Sequence, residues 1–295
     1  HINSYQDLPF SAYQFQTKFR HELRAKSGLL RGREFIMKDL YSFHRDQADL
    51  DNFYKKVGES YREIFKTVGI GEQTIYTLAG GGTFSPYSHE FQTLTPAGED
   101  QIHICAKCHL AINDEIITQH PTCPECGSVK RTIQTGIEVG NTFKLGDKFS
   151  VPFGLNYRDT DGQMRPVIMG CYGLGISRLM GAIVEITADE RGLVWPITVA
   201  PFRAHLLSLG SDKDTAVLAQ AENIYKLLTE AGIEVLWDDR AVTTGVKFTE
   251  ADLLGLPYRL VVSARTVEKN LVEIKGRTVD EIKLISSQNL CALIG

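Results

Sequence analysis

The sequence predicts an α+β domain built on an antiparallel sheet, followed by a smaller α/β domain, and three observations carry that reading. YQFQTKFRHEL, REFIMKDLYSF, SHEFQTLTP and IEVGNTFKLG are β-rich segments separated by turns, without the regular strand and helix alternation of a parallel sheet. One amphipathic helix interrupts them. After VWPITVAPF the texture changes, and strands and helices follow one another in turn.

In chain order, two β-like segments flank a basic loop near the amino terminus. From Leu50 the apolar positions Leu50, Phe53, Val57, Tyr61, Ile64 and Val68 recur at helical steps, and Gly69 stands at a natural helix end. Beyond the boundary, HLLSL, a helix from Thr215 to Ala231 closed by Gly232, IEVLW, a helix near Lys247 to Leu254, and YRLVVSA make a βαβαβ order with a late edge strand near VEIKG. The boundary falls near Ala200, giving domains 1–200 and 201–295.

With 295 residues and 43% apolar content the chain has material for two packed cores. No apolar run is long enough for a membrane span, and HINSYQDLPF lacks the basic and apolar blocks of a signal peptide, so a soluble, cytoplasmic protein is expected. The 32 basic and 36 acidic side chains give a net charge of −4, which argues against indiscriminate nucleic-acid binding but not against a local basic site.

Four of the six cysteines form CAKC and CPEC, at Cys105, Cys108, Cys123 and Cys126, with 14 residues between the pairs; Cys171 and Cys291 stand alone. Pairs at this spacing in a reducing compartment suit a metal better than disulfides, so segment 101–130 reads as zinc-ribbon-like, holding one structural Zn2+. Four reduced thiols left from a lost site are the alternative. A redox pair fits less well, because no thioredoxin-like βαβ pattern surrounds either pair. Four thiolates would close the tetrahedron, leaving the metal no catalytic position.

Between Lys18 and Lys38 lie seven Lys or Arg against two Glu, the local basic site. On strands, Arg20 and Glu22 would share one sheet face, as would Arg33 and Phe35 on the return. Such a face can bind a purine triphosphate, with guanidinium on phosphate, Glu22 on an exocyclic amine and Phe35 stacked on the base; a solvated hairpin is the alternative. Further on, GCYGLGISR places Gly173 and Gly175 before the apolar run LMGAIVEI, which suggests a sharp bend entering a helix whose free amides face an anion. A dinucleotide fold would want a third glycine and an acidic residue about 20 positions on. Arg178 and ADERGLVWP stand there instead.

FRHE, the basic loop and REF resemble motif 2 of the class II aminoacyl-tRNA synthetases, and GLGISR resembles motif 3. Within that class, SYQDLP, GREFIMKDLYSFH, SHEF, EVGNTFKLGDKFS, MGCYGLGISR, PFRAHLL, DDR and GVKFTEADLLGLPYR resemble the bacterial-type prolyl-tRNA synthetase family, in family order over nearly the whole chain. The resemblance implies a class II antiparallel catalytic sheet with a carboxy-terminal anticodon-binding α/β domain. It also implies a ligase that activates proline with ATP and acylates proline tRNA.

By motif position, Arg20 would hold the α-phosphate and Arg178 the γ-phosphate, both catalytic. Glu22, Arg33 and Phe35 would seat the nucleotide, Gly173 and Gly175 would floor the site, and Glu138 would contact Mg2+ or substrate. Phe149 and Cys171 would wall the proline pocket, with core packing as the alternative for each. Arg24 and Lys26 would meet the tRNA acceptor end, and Asp238, Asp239, Arg240, Lys247 and Phe248 the anticodon, part of DDR serving instead to brace the following helix.

The resemblance further implies a homodimer built by an upstream motif 1, and a TxE segment that contacts proline. Neither lies within these 295 residues: either they belong to an unseen amino-terminal part, or the form is truncated or degenerate. The large editing insertion of many relatives is replaced by the cysteine segment, so editing in cis is not expected. Where relatives often carry histidine before an Asp-Glu pair, Thr187 and Ala188 stand here, which implies a locally different proline pocket. A non-catalytic synthetase relative that binds tRNA or another nucleic acid is the alternative function. Threonine or histidine specificity fits less well with MKDLYSFH and MGCYGLGISR.

Overall fold

A computed structural model describes residues 2–210 and 214–295, and the chain divides into two units, His1–Ile186 and Thr187–Gly295. The first contains β1 (Phe10–Phe19), β2 (Glu34–His44), α1 (Gln47–Thr67), β3 (Thr74–Gly80), β4 (Tyr87–Leu94), β5 (Asp100–Cys105), β6 (Ala111–Asn113), β7 (Arg131–Gly146), β8 (Asn156–Arg158), β9 (Met164–Pro166), β10 (Ile168–Gly175) and α2 (Ile176–Thr187). Eight strands form one sheet in the order β1-β2-β10-β7-β4-β3-β6-β5, antiparallel at every step except β3–β6, with β5 also pairing β7. β8 and β9 make a separate hairpin.

α1 starts where Asp46 accepts a hydrogen bond from Asp49 N at 2.9 Å, which supplies one of the free amide donors of its first turn with a partner. It lies on one face of the sheet. The face is turned slightly from the expected one: Leu50, Tyr54, Val57, Tyr61 and Phe65 are buried, while Phe53, Ile64 and Val68 are only half-buried. Tyr61 and Phe65 meet Phe91 of β4, and Phe53 and Tyr54 meet Tyr172 of β10.

Beneath α1 the sheet carries polar groups that are sealed and satisfied. His44 bonds Asp49 at 2.9 Å through Nδ1 and Ser42 at 2.8 Å through Nε2, and Ser42 in turn meets Tyr172 OH at 3.0 Å. The opposite face of β2, β10 and β7 is left uncovered by α1 and carries the candidate site.

The second unit contains β11 (Ala204–Leu209), α3 (Thr215–Glu230), β12 (Val235–Asp238), α4 (Thr244–Leu254), β13 (Tyr258–Ser263), α5 (Ala264–Glu268), β14 (Val272–Gly276), β15 (Ile282–Ile285) and α6 (Leu290–Ile294). Its sheet runs β12-β11-β13-β14-β15, with the first three strands parallel and the last two antiparallel. VEIKG is therefore an inner strand, and β15 is the edge that the sequence did not reveal. It is only four residues long, IKLI, and follows the charged Asp280 and Glu281, which hid it.

α3 packs Val217, Ala221, Ile224 and Leu228 against Leu206, Leu260 and Ile274 on one side of this sheet, while Ala251 of α4 meets Leu207 and Val261 on the other. The division between units falls ahead of the boundary expected near Ala200, because residues 187–200 join the second unit. Asp189 takes two bonds from Arg277, at 2.6 and 2.8 Å, and Leu193 N and Trp195 N donate to Leu253 O and Gly255 O. Gly255, at φ 66, lies so close to that segment that a Cβ would fall 1.7 Å from Leu193 O. No helix among the described residues is long and apolar enough to cross a membrane.

Candidate active site

On the uncovered face, β2 places Phe35, Met37, Asp39 and Tyr41 in one row, and β10 sets Gly175, Gly173 and Cys171 opposite Met37, Asp39 and Tyr41. β7 adds Asn141 opposite Gly173 and Phe143 opposite Cys171. Charge and hydrogen-bonding groups gather at the Phe35 end, and aromatic rings at the Tyr41 end.

The polar end is a cleft of about 590 Å³, its open mouth included, lined among others by Arg20, Glu22, Phe35, Glu138, Gly173 and Arg178. Arg20 and Glu22 reach it by a route different from the expected alternation. β1 ends at Phe19, so both belong to the loop, although Arg20 N still donates to Arg33 O at 2.9 Å. The Arg20 guanidinium sits 4.9 Å over the Phe35 ring. Arg33 precedes β2, is absent from the cleft lining, and donates from Nε to Glu22 O at 2.9 Å, so it braces the loop.

The Glu22 carboxylate is held below its ordinary range by the Arg24 amide, at 3.3 Å, and by the Arg31 guanidinium, at 3.1 Å. Arg31 also bonds Glu99 at 2.5 Å, and these two carboxylates raise its own pKa. Lys26 lies 3.0 Å from the other oxygen of Glu99, and the Arg24 side chain is exposed.

Arg178 stands in the first turn of α2 and is fixed from three directions. Nε donates to Leu30 O at 2.9 Å, and Nη1 donates to Glu138 O at 2.8 Å and lies 3.2 Å from Glu138 Oε2. Asn141 donates to the other Glu138 oxygen at 2.8 Å. Residues 138 and 141 would face opposite ways on a regular strand. The register shifts between Phe91 and Gln92, so Val139 is an extra residue in β7 and the bulge returns Asn141 to the face of Glu138.

Gly173 and Gly175 do not form the sharp bend expected of them. Both lie in β10 with no left-handed φ, and the helix begins at the next residue. Gly173 matters for space, since a Cβ there would fall 2.7 Å from Asn141 Oδ1. Beside the cleft, Glu90 accepts from Gln92 at 2.9 Å and Asn113 at 3.1 Å, and burial together with Glu138 pushes its carboxyl up to about 8.

At the apolar end, Tyr41, Phe84, Phe149, Phe153, Met169 and Cys171 line an open, largely apolar hollow. Phe149 and Cys171 thus come together as expected. Burial pushes the Cys171 thiol up to about 11, keeping it neutral at pH 7.

In the second unit the expected nucleic-acid residues separate into two groups. Lys247 is only 2% exposed, and its ammonium donates to Ser208 O at 2.8 Å and Asp238 O at 2.9 Å. Asp238, 5% exposed, takes both arms of Arg240, at 2.9 and 2.8 Å. Lys247 and Asp238 are therefore internal braces rather than surface contacts, because the carboxyl ends of β11 and β12 need a donor for their carbonyls. Asp239 and Arg240 are exposed beside them, and Phe248 is half-buried with Arg259 4.5 Å over its ring. This rim lies at the carboxyl ends of parallel strands where the strand order reverses, the usual ligand position in such sheets.

Arg31, Asn141, Glu90 and Glu99 were not foreseen. Gly140 inside a strand pattern was the one available sign of the bulge that turns Asn141 inward.

Comparison with known proteins follows the same division. Residues 1–187 match the tRNA synthetase class II core domain (G, H, P, S and T), and residues 197–294 match the anticodon binding domain. The proline–tRNA ligase of Wolbachia pipientis wMel is 38% identical, over 96% of this chain and 68% of its own length. That of Zymomonas mobilis is 37% identical, over 99% of this chain and 71% of its own. Among solved structures, the prolyl-tRNA synthetase of Cryptosporidium parvum, complexed with L-proline and AMP, superposes with a TM-score of 0.76 at 20% identity. The match covers 99% of this chain and 54% of that one, and at this identity it speaks for the fold alone.

Proposed function

We propose a function from one premise: the chain belongs to the proline–tRNA ligase family of the class II aminoacyl-tRNA synthetases. On that premise it activates proline with ATP and passes the prolyl group to proline tRNA. The observation that carries the reading is the convergence of Arg20 and Arg178 on one cleft beside the Phe35 ring, with an apolar cavity next to it on the same sheet face.

In the first step a proline carboxylate oxygen attacks the α-phosphorus of ATP, the bond to the bridging oxygen breaks, and pyrophosphate leaves. In the second, a ribose hydroxyl of the tRNA terminus attacks the prolyl carbonyl carbon, loses its proton, and AMP leaves with the bonding pair. Neither step needs a bond to the protein, so the work is alignment and charge stabilisation.

Adenine would replace Arg20 on the Phe35 ring, freeing that guanidinium for the α-phosphate, while Glu22 accepts from the exocyclic amine. Arg178, already clamped by Leu30 and Glu138, would meet the γ-phosphate with little ordering cost. Gly173 and Gly175 leave room for the nucleotide, and Arg33 acts through the loop it braces. The half-buried Glu138 carboxylate offers the hard oxygen donors that Mg2+ takes. Held by Glu138, Mg2+ would supply positive charge against the phosphates of ATP. Phe149 and Cys171 would wall the proline ring, whose apolar methylenes suit a neutral thiol and an aromatic face.

Arg24 and Lys26 would meet the acceptor end, Lys26 exchanging Glu99 for phosphate. Asp239, Arg240 and Phe248 would read the anticodon, with Lys247 and Asp238 holding that rim in place. The reading also includes a homodimer and a cytoplasmic location. Zn2+ enters it as a structural ion on Cys105, Cys108, Cys123 and Cys126, since four thiolates leave no open position.

Charging of native and anticodon-altered proline tRNA by the full-length protein tests the proposal. Native tRNA should be charged at least about tenfold faster, the scale of one good base contact. Equal charging would remove anticodon reading from the second unit, and no charging at all would favour the non-catalytic alternative.

A further inference from the structure

No step of the proposed reaction uses the four cysteines of segment 105–126, yet their two halves repeat one geometry. In the first, Cys105 N donates to Leu110 O at 2.9 Å and His109 N donates to Cys105 O at 3.0 Å. In the second, Cys123 N donates to Ser128 O at 2.9 Å and Gly127 N donates to Cys123 O at 2.8 Å. The fourth residue after each leading cysteine is left-handed, His109 at φ 62 and Gly127 at φ 70. The offsets match residue for residue, although only one of the two positions carries the glycine that such a backbone favours.

The two turns face each other and bring all four sulfurs within 4.8 Å. Cys105 lies 3.5 Å from Cys126, and Cys108 lies 3.5 Å from Cys123. A disulfide would need about 2.05 Å, and all four thiols are free. Bonds of about 2.3 Å from one tetrahedral Zn2+ set sulfurs roughly 3.8 Å apart. Besides Cys105 and Cys123, the buried apolar side chains of the segment are only Ala111, Ile112 and Ile116.

The cluster is also wired to the loop that carries Arg20 and Glu22. Cys105 ends β5 opposite Arg131, which begins β7, so the cluster ties these strands at one end of their ladder. At the other end Glu99 precedes β5, its amide donates to Gly136 O of β7 at 3.0 Å, and its carboxylate grips Lys26 and Arg31. We propose that Cys105, Cys108, Cys123 and Cys126 bind one Zn2+, and that this ion, by fixing β5 on β7, keeps Glu99 where it orders the 20–33 loop. The metal half stands independently of the ligase reading; only the importance of the loop rests on it.

The test uses the full-length protein purified without chelator. Elemental analysis should find one zinc per chain, replacement by Co2+ should give a thiolate charge-transfer band, and Cys108→Ser with Cys126→Ser should abolish both. Hydrogen exchange should then speed up on metal removal, by at least about tenfold, in 105–131 and also in 20–33, and revert when zinc is restored. Glu99→Gln should keep the metal yet speed exchange in 20–33 alone. Absence of zinc together with no cobalt band would overturn the site. Exchange in 20–33 that ignores both metal removal and Glu99→Gln would overturn the coupling. Both readouts are independent of proline, so a protein inactive as a ligase would leave them standing.

Discussion

The two faces of the first sheet draw on the same residue types and put them to opposite uses. Under α1, Ser42 and His44 are fully buried, Tyr54 OH meets His89 Nδ1 at 2.9 Å, and Lys38 reaches Tyr61 OH at 3.2 Å with its ammonium pKa lowered by burial. On the uncovered face, Arg178, Glu138, Arg31 and Glu22 stay partly exposed and hold one another as ions. Which side of the strand a residue leaves decides whether it is sealed structure or accessible chemistry. In MKDLYSFH the alternation is strict: Lys38, Ser42 and His44 turn to α1, while Met37, Asp39 and Tyr41 share the opposite face. Ser42, His44 and Asp49 even have the hydrogen-bond order of a hydrolase triad, but a serine with no exposed surface cannot meet a substrate.

If the faces divide the labour in this way, substitutions should separate activity from stability. The largest effect is expected from Arg178→Ala in the full-length protein, a loss of about 10²–10³ in proline-dependent pyrophosphate exchange, as for removal of a preorganised charge contact. Arg20→Ala should fall in the same range. Thermal unfolding should change little in either, and a near-normal exchange rate would take that arginine out of its assigned role.

On the covered face the signature is acid lability. Burial, with Lys144 and Arg62 nearby, lowers the His89 pKa from 6.5 to about 4. The unfolded chain then binds the proton first, so the stability this neutral histidine contributes is complete above about pH 6.5 and is lost as the pH falls toward 4. Between pH 7 and pH 4.5 the loss amounts to about 2 kcal/mol. Urea unfolding at the two pH values should show that share of the slope disappear in His89→Asn. An unchanged slope would mean that His89 is not held neutral.

Ser42→Ala should cost about 1–3 kcal/mol, because His44 and Tyr172 lose a buried partner, while KM for ATP and for proline stays constant. A rise in either KM would place the covered network in the site. The smallest change is expected for Cys171→Ala, a rise in KM for proline of less than about tenfold with kcat nearly kept, since only apolar contact is lost. An equal drop in kcat would show a role beyond shape.

The elements that alternation and helical period encode were readable in the sequence: β2, β7, α1, α3 and the parallel order of the second unit. Chemical type marks Arg20, Glu22 and Phe35, and motif resemblance marks Arg178, as candidate nucleotide ligands, and the structure brings the four into one cleft. The geometry that unites them was not readable, because it depends on a loop after Phe19 and on a bulge at Val139, and neither has a period. Lys247 failed for a different reason. A lysine beside DDR looks like an RNA contact until the fold buries it on Ser208 O and Asp238 O, and no local pattern distinguishes a buried ammonium from an exposed one.

The central claim is that the uncovered face binds ATP and proline side by side and joins them. Isotope exchange between ATP and pyrophosphate, measured in the full-length protein with each amino acid in turn, tests it most directly. Proline should support exchange far above every other amino acid, with alanine the nearest competitor on grounds of size, and Arg178→Ala should abolish it. No proline-dependent exchange in protein that still binds proline tRNA would contradict the account, and would leave a nucleic-acid-binding relative whose cleft has lost its reaction.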